Sequence, residues 1–103
     1  MKIAAVAIAK NEERNLKDFL GTIKDFDEVV VVDTGSTDTT ARLLREAGIK
    51  VIGKVFEPFD FSEARNYSLS QVSKDIDFCF SIDLNERLDD KWREKCENIL
   101  LQY

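Results

Sequence analysis

Two apolar runs in this sequence each end in an acidic segment whose oxygen atoms could bind a cation or a polar ligand. The valines at positions 29–32 lead into segment 33–38, and the apolar run at positions 76–82 leads into segment 83–86. Short apolar runs are typical of strands covered on both faces, and ligands of open parallel sheets bind beyond the carboxyl ends of such strands. The sequence therefore predicts that the two acidic segments lie at one cleft.

Segment 33–38 combines residue types that suit a helix start facing an anion. Asp33 supplies a carboxylate at the strand end, Gly35 can adopt a positive φ, and Asp38 can cap the following helix. The main-chain amides of such a turn can bind a phosphate. With one glycine and no Gly-Lys pair, the segment is neither a Walker loop nor a dinucleotide fingerprint. A plain, well-capped turn is the alternative interpretation.

Segment 83–86 offers oxygen ligands at alternate positions, Asp83 and Asn85. Mg²⁺ and Mn²⁺ are commonly held by one or two carboxylates together with substrate phosphates. Arg65, near the start of a predicted helix, is the candidate to reach such a phosphate. The alternatives are a solvated acidic turn for the segment and, for Arg65, a surface ion pair or a cover for the aromatic loop.

The elements that must position these residues follow from the hydrophobic periodicity, which predicts strands and helices in alternation. Such an order implies a parallel sheet with right-handed helical connections. Asn11, Glu12 and Glu13 then follow the first strand, and a role limited to beginning a helix is the alternative to a binding role. The predicted strands cover residues 3–9, 28–33, 50–55 and 76–82. Helices are predicted to start at Asp38, Ser62 and Asp89, and one helix is predicted to end at Gly48. The residues predicted to face inward include Leu44, Ala47, Leu69, Trp92, Cys96 and Tyr103.

Length, charge and cysteine content limit the class of protein. A chain of 103 residues is expected to form one domain with a core, and its net charge of -5 argues against a nucleic-acid partner. Cys79 and Cys96 are expected to be free core thiols in a reducing compartment. The first apolar run is too short to span a membrane and lacks the layout of a secretion signal. We therefore expect a cytoplasmic protein without a transmembrane segment.

Four motifs, taken in order along nearly the whole chain, resemble the family 2 glycosyltransferases of the GT-A fold. The resemblance implies a Rossmann-like, three-layer α/β/α fold with a mainly parallel four-stranded sheet. It also implies that residues 1–103 are a single nucleotide-diphospho-sugar-binding domain, the donor half of such an enzyme. The motifs are Lys10-Asn11-Glu12-Glu13, Asp33-Thr34-Gly35-Ser36-Thr37-Asp38-Thr39-Thr40, Phe59-Asp60-Phe61-Ser62-Glu63-Ala64-Arg65-Asn66 and Asp83-Leu84-Asn85-Glu86-Arg87-Leu88.

The resemblance further implies roles for individual residues. The loop after the first strand and the turn at Asp33 correspond to segments that hold the nucleoside, and Arg65 corresponds to the arginine that approaches the diphosphate. Asp83 and Asn85 correspond to the DxD motif, which binds Mn²⁺ or Mg²⁺. A UDP-sugar is the expected donor. The implied donor-binding residues are Ala9, Asn11, Glu12, Asp33, Thr34, Gly35, Arg65 and Asp83.

Three departures from the family pattern qualify these expectations. Thr34 stands where many members have a second aspartate. Asn85 stands where the DxD motif has the aspartate that usually binds the metal, and a neutral amide oxygen is a poorer ligand for a hard cation. No residue after Glu86 resembles the catalytic base of the family. We therefore expect a donor half for inverting transfer that is weakly active or inactive alone, covered by a second copy or by a partner protein.

Three other classes of protein are alternatives. A non-catalytic nucleotide-binding or interaction module would keep the fold without the chemistry, as Asn85 favours. A nucleotidyltransferase carries a Gly-rich, basic first loop, whereas the loop at Lys10 contains no glycine. A phosphoacceptor receiver domain needs an acidic pair after its first strand and a lysine after its last strand, and Glu12 and Glu13 match only part of that pattern.

Overall fold

The computed structural model describes the backbone of residues 1–88 and 91–100, and the side chains among these up to residue 98. Strands and helices alternate along the chain, and a short 3₁₀ turn, Glu13–Asn15, precedes the first helix. The strands are β1 (Ile3–Ala9), β2 (Glu28–Asp33), β3 (Lys50–Gly53) and β4 (Phe78–Ser81); the helices are α1 (Leu16–Thr22), α2 (Thr40–Glu46), α3 (Phe61–Ser70) and α4 (Trp92–Leu100).

The four strands form one parallel sheet in the order β3-β2-β1-β4. Ala9 pairs with Asp33, and Asp33 pairs with Gly53, so the last residues of β1, β2 and β3 lie side by side. On the other edge of β1, Ser81 of β4 lies opposite Val6. Strands β2 and β3 therefore lie on one side of β1, and β4 lies on the other. Open parallel sheets bind ligands beyond the strand ends at such a reversal of strand order.

Helices cover both faces of the sheet, which confirms the expected three-layer α/β/α architecture. Val31 belongs to a cluster with Phe19 of α1 and Leu44 of α2, all three fully buried. Val32, also fully buried, packs in a second cluster with Ala64 of α3. Successive strand residues point to opposite faces, so the valine run of β2 contacts both helical layers.

Helix α4 is attached to the rest of the chain by stacked aromatic rings and by one arginine. Trp92 stacks on Phe26 with ring centroids 4.1 Å apart. The Arg93 guanidinium donates to the Asp27 carboxylate at 2.9 Å. The main-chain N–H of Ile3 donates to the same carboxylate. This hydrogen bond, followed in size by the one from Arg93, lowers the pKa of Asp27. Asp27 therefore joins the starts of β1 and β2 to α4.

Several element boundaries differ from the prediction. Ser62 is not the cap of α3; the cap is Asp60, whose carboxylate accepts a hydrogen bond from the Glu63 N–H at 3.1 Å. Helix α2 begins at Thr40, although the Asp38 carboxylate accepts from the Thr40 N–H at 2.9 Å. Strands β3 and β4 are both shorter than predicted. Each of these two strands pairs with a single neighbour in the described sheet. Fewer inter-strand hydrogen bonds are therefore available to extend the strand at its ends.

Two side chains that were predicted to face the core are exposed. Leu69 is 41% exposed, because α3 turns Ala64 and Ser68 toward the sheet and Leu69 lies one helical step further around. Ala47, directly after α2, is also exposed. The predicted helix end at Gly48 is confirmed, since this residue has a positive φ of 85°.

The remaining structural predictions concern the last helix, the cysteines and the membrane. Asp89 and Tyr103 lie outside the described residues. Cys79 and Cys96 are free thiols, each half-buried rather than in the core, and burial raises the pKa of the Cys79 thiol. In the described part of the chain, no helix has the length and apolar character needed to cross a membrane.

Candidate functional site

The loops that follow β1 and β2 are joined by hydrogen bonds at the carboxyl end of the sheet. The Thr34 N–H donates to the Ala9 carbonyl oxygen at 2.9 Å, which extends the pairing of the two strands. The Glu12 N–H donates to Thr40 Oγ1, also at 2.9 Å. Because Thr40 is fully buried in the first turn of α2, this bond attaches the loop after β1 to that helix.

Asn11 connects the same two loops through its side chain. Its main-chain N–H donates to Ser36 Oγ at 2.9 Å, and its Oδ1 accepts from the N–H groups of Thr37 and Asp38 at 2.7 and 3.3 Å. The φ of Asn11 is 53°, a left-handed conformation that asparagine adopts more readily than most residues. The side-chain oxygen of this predicted donor-binding residue is therefore used to hold the second loop.

Glu13 and Asp38 complete the connection between the loops. Glu13 Oε2 accepts from the Thr39 N–H at 3.1 Å and from the Thr39 hydroxyl. The Thr40 hydroxyl donates to Asp38 and lowers the pKa of its carboxyl group. Glu13 was not among the predicted site residues; its place next to Asn11 and Glu12 in the first motif is the signal that could have identified it.

Asp33 is a buried carboxylate, 6% exposed, that shapes the turn after β2. Its Oδ1 accepts from the N–H groups of Gly35 and Ser36 at 3.0 and 2.7 Å. Its Oδ2 is buried and has no hydrogen-bond partner in the described structure. Gly35 has a φ of 123°, a conformation that is strained for residues with a side chain. The turn thus leaves one buried acceptor without a partner, which is uncommon in folded proteins.

A cavity of about 490 Å³ lies beyond the carboxyl ends of β1, β2 and β3. Four of its eight lining residues are apolar and four are charged or polar, so it offers both apolar surface and hydrogen-bonding groups to a ligand. Two of the predicted donor-binding residues, Glu12 and Thr34, line it. The remaining lining residues are Ile8, Lys10, Val55, Phe56, Glu57 and Phe59.

Arg65 lies on α3, with its guanidinium carbon 4.7 Å from the centre of the Phe61 ring. The Phe61 ring in turn contacts the Phe59 ring edge to face, with centroids 6.4 Å apart. Arg65 is exposed and makes no ion pair within the described part of the chain. Arg65 therefore covers part of the aromatic segment, as one alternative interpretation predicted. Its charge, which no described ion pair neutralises, is connected to the cavity wall through two aromatic rings.

Asp83 and Asn85 are exposed in the turn after β4. Two hydrogen bonds close this turn, from the Asp83 N–H to Glu86 Oε1 at 2.9 Å and from the Glu86 N–H to the Asp83 carbonyl oxygen at 3.0 Å. Among the described residues, no cluster of three or more His, Cys, Asp or Glu side chains could hold a metal ion. An exposed carboxylate and an exposed amide could supply at most a few oxygen ligands, which is too few for an all-protein metal cage.

The structure brings part of the predicted site together. The joined loops contain Ala9, Asn11, Glu12, Asp33, Thr34 and Gly35. No hydrogen bond or ion pair among the described residues links these loops to Arg65, Asp83 or Asn85. The sequence reasoning missed Lys10 and the cavity wall formed by Glu57 and Phe59. The available signal was the concentration of aromatic residues between β3 and α3.

Known proteins resemble this chain over most of its length. Residues 5–100 match Glycosyl transferase family 2. The lipopolysaccharide core biosynthesis glycosyltransferase LpsC of Rhizobium meliloti is 35% identical over an alignment of 104 positions. The alignment covers 97% of this chain and 37% of that protein. The chain therefore spans about a third of the length of the curated relatives that it matches.

Solved structures share the fold. The crystal structure of S. aureus TarS superimposes with a TM-score of 0.85 at 22% identity, over 99% of this chain and 33% of that chain. The glucosyl-3-phosphoglycerate synthase of Mycobacterium tuberculosis, crystallised with Mn²⁺, uridine diphosphate and glucosyl-3-phosphoglycerate, matches with a TM-score of 0.62 at 30% identity, over 84% and 35% of the two chains. The family match covers nearly the whole sequence, and the chain therefore belongs to glycosyl transferase family 2.

Proposed function

We propose that residues 1–103 form a domain that binds a nucleotide-diphospho-sugar, with a UDP-sugar as the expected donor, for inverting transfer to an acceptor. The observation that carries this proposal is the cavity beside the joined loops, at the carboxyl end of the sheet of a family 2 chain. The M. tuberculosis relative, whose crystal structure contains uridine diphosphate, supports the choice of nucleotide.

The joined loops are proposed to hold the nucleoside. Glu12 and Thr34 line the cavity and offer oxygen atoms to hydroxyl or N–H groups of the ligand. Asp33 Oδ2, which is buried without a partner, is proposed to accept a hydrogen bond from the base. Ala9, Asn11 and Gly35 are proposed to shape the loops rather than to contact the ligand. Ala9 and Asn11 accept hydrogen bonds from the segment after β2, and Asn11 and Gly35 have the positive φ that the turns require.

Arg65 is proposed to bind the diphosphate, and Asp83 with Asn85 to hold Mn²⁺ or Mg²⁺ together with it. These roles are supported by the exposure of all three side chains and by the absence of any described ion pair to Arg65 or Asp83. Such a cation, when bound, offsets negative charge on the leaving nucleoside diphosphate. The neutral Asn85 oxygen is expected to make the metal site weaker than one built from two aspartates.

Calorimetric titration with UDP tests the proposed site. We expect the wild-type chain to bind UDP more tightly with Mn²⁺ than without it. Asp83→Ala should remove this metal-dependent gain and leave metal-free binding unchanged. Arg65→Ala should weaken binding even in metal-free buffer, by roughly 10- to 150-fold, because it removes a charge-assisted hydrogen bond to phosphate.

The matched control is Asp25→Ala, which removes an exposed carboxylate from the turn before β2, at the opposite end of the sheet. This variant should bind UDP like the wild type in both buffers. Failure of the wild-type chain to bind UDP, GDP or dTDP, with or without Mn²⁺, would contradict the proposed function.

The chain by itself is proposed to be weakly active or inactive in transfer. No catalytic base is identified in it, and general-base help contributes typically about 10²- to 10⁴-fold. A second copy or a partner protein is proposed to cover the edge of β4, which has no neighbour on one side in the described sheet. One sample is used to measure product formation from UDP-sugars and particle mass by light scattering. A strict monomer that transfers the sugar at about 1 s⁻¹ would contradict both proposals.

A second candidate function is a non-catalytic module that binds a nucleotide sugar without transferring the sugar. The amide of Asn85 in place of a carboxylate favours it, because a neutral ligand weakens a metal site. UDP binding without any product, in every oligomeric state that light scattering detects, would support this candidate. For either function we propose a cytoplasmic location, since both cysteines are free thiols, which persist in reducing compartments.

A further inference from the structure

The wall of the cavity that faces the joined loops comes from the segment between β3 and α3. Val55, Phe56, Glu57 and Phe59 form this wall. None of them was assigned a role by the sequence motifs, although Phe59 begins the third motif. Three of these four residues are apolar, two of them aromatic, whereas the loops after β1 and β2 contribute Lys10, Glu12 and Thr34 to the same cavity. The cavity therefore offers both aromatic surface for a flat apolar group and polar side chains for hydrogen bonds.

Phe59 is the unusual member of this wall, because it lines the cavity and is still 54% exposed. Its neighbour Phe56 is only 7% exposed and packs in the core against Tyr67. The described ring contact of Phe59 is with Phe61, which meets it edge to face. An aromatic ring that is held from one side and open toward a cavity is available to stack on a flat ligand.

The position of Arg65 links this ring to the proposed phosphate position. The guanidinium lies against the Phe61 ring, and Phe61 contacts Phe59, so an aromatic ring and a free cation follow each other along the start of α3. A nucleoside diphosphate has the same sequence of chemical groups, with a flat base at one end and an anionic diphosphate at the other. Aromatic side chains bind bases by stacking, and this contact is tolerant of base identity.

We propose that Phe59 is the stacking platform for the base of the nucleoside diphosphate. This inference rests on the proposed function and assigns a ligand contact to a segment outside the joined loops. Phe61 supports the platform and Arg65 receives the diphosphate. Glu12 and Glu57, the two carboxylates of the cavity, accept hydrogen bonds from the hydroxyl or N–H groups of the nucleoside.

The test compares UDP with inorganic pyrophosphate by calorimetric titration of the 103-residue chain. Phe59→Ala and Phe59→Leu should raise the Kd for UDP by roughly 5- to 150-fold, and Phe59→Trp should restore wild-type affinity, because stacking requires an aromatic face. The Kd for pyrophosphate should be unchanged in all three variants. The matched control is Phe78→Ala on β4, a phenylalanine that is 40% exposed and does not line the cavity; its affinity for UDP should equal that of the wild type.

The outcomes separate this inference from the proposed function. If the wild-type chain binds no nucleoside diphosphate, the proposed function fails. If it binds UDP and Phe59→Ala binds UDP equally well, the platform is wrong while the proposed function stands. If Phe59→Leu keeps full affinity, or if pyrophosphate binding falls together with UDP binding, the residue acts by filling space or by shaping the loop, and the stacking inference is overturned.

Discussion

Replacing Asp33 by alanine is expected to destabilise the chain and to abolish measurable nucleotide binding. The substitution leaves the N–H groups of Gly35 and Ser36 without their acceptor, which costs about 1 to 3 kcal/mol of the free energy of unfolding when such groups are partly buried. It also removes the buried Oδ2 that is proposed to accept a hydrogen bond from the base. Urea denaturation measures the first effect, and calorimetric titration with UDP measures the second.

Asp33→Asn separates the two roles of this side chain. The amide oxygen can still accept from Gly35 and Ser36, so stability should fall by less than in the alanine variant. The amide nitrogen is a donor where the ligand is proposed to need an acceptor, so UDP affinity should drop at least about tenfold. An asparagine variant that binds UDP like the wild type would show that Asp33 only shapes the turn.

Replacing Leu44 by alanine is expected to have the largest effect on stability. Leu44 of α2 is fully buried in the same core cluster as Val31 of β2. Truncation of a buried leucine costs about 2 to 5 kcal/mol, through lost burial and the cavity that remains. For a domain of this size the melting temperature should fall by roughly 10 °C or more, as measured by circular dichroism.

Leu69→Ala is the matched control for this prediction. Both leucines lie on helices that were predicted to turn them inward, but Leu69 is 41% exposed. Its truncation should change the free energy of unfolding by less than about 1 kcal/mol. Equal destabilisation by the two substitutions would contradict the orientation of α3 that the structure shows.

Much of the fold could be predicted from the sequence, because its central strands are specified locally. The bounds of β1 and β2 agree with the prediction, since continuous apolar runs that end at polar residues define both ends of a buried strand. The edge strands β3 and β4 were predicted too long. Their length depends on how many partner residues a neighbouring strand offers, which the apolar pattern does not contain.

The candidate site could be predicted only in part. From the meeting of strand ends, the sequence predicted that segments 33–38 and 83–86 share one cleft, and the family resemblance added the loop at residues 9–12. Among the described residues, hydrogen bonds join the loop at 9–12 to the segment that begins at Asp33, and none joins that segment to residues 83–86. The sequence did not reveal that Asn11 uses its side chain to hold the second loop, because that role requires the N–H groups of Thr37 and Asp38 to point toward it. Nor did it distinguish Phe59, which is open to the cavity, from Phe56, which is buried.

By itself, the amino-acid sequence determined the strand-helix alternation, the parallel sheet and the edge at which polar groups gather. These properties follow from residue types repeated at short range, and from the general rule that parallel strands end together. Only the tertiary structure decided which oxygen of Asp33 is left unpaired and which of the two aromatic rings that line the cavity, Phe56 or Phe59, remains exposed. Both depend on groups that are far apart in the chain, whose relative positions are set when the helices pack on the sheet.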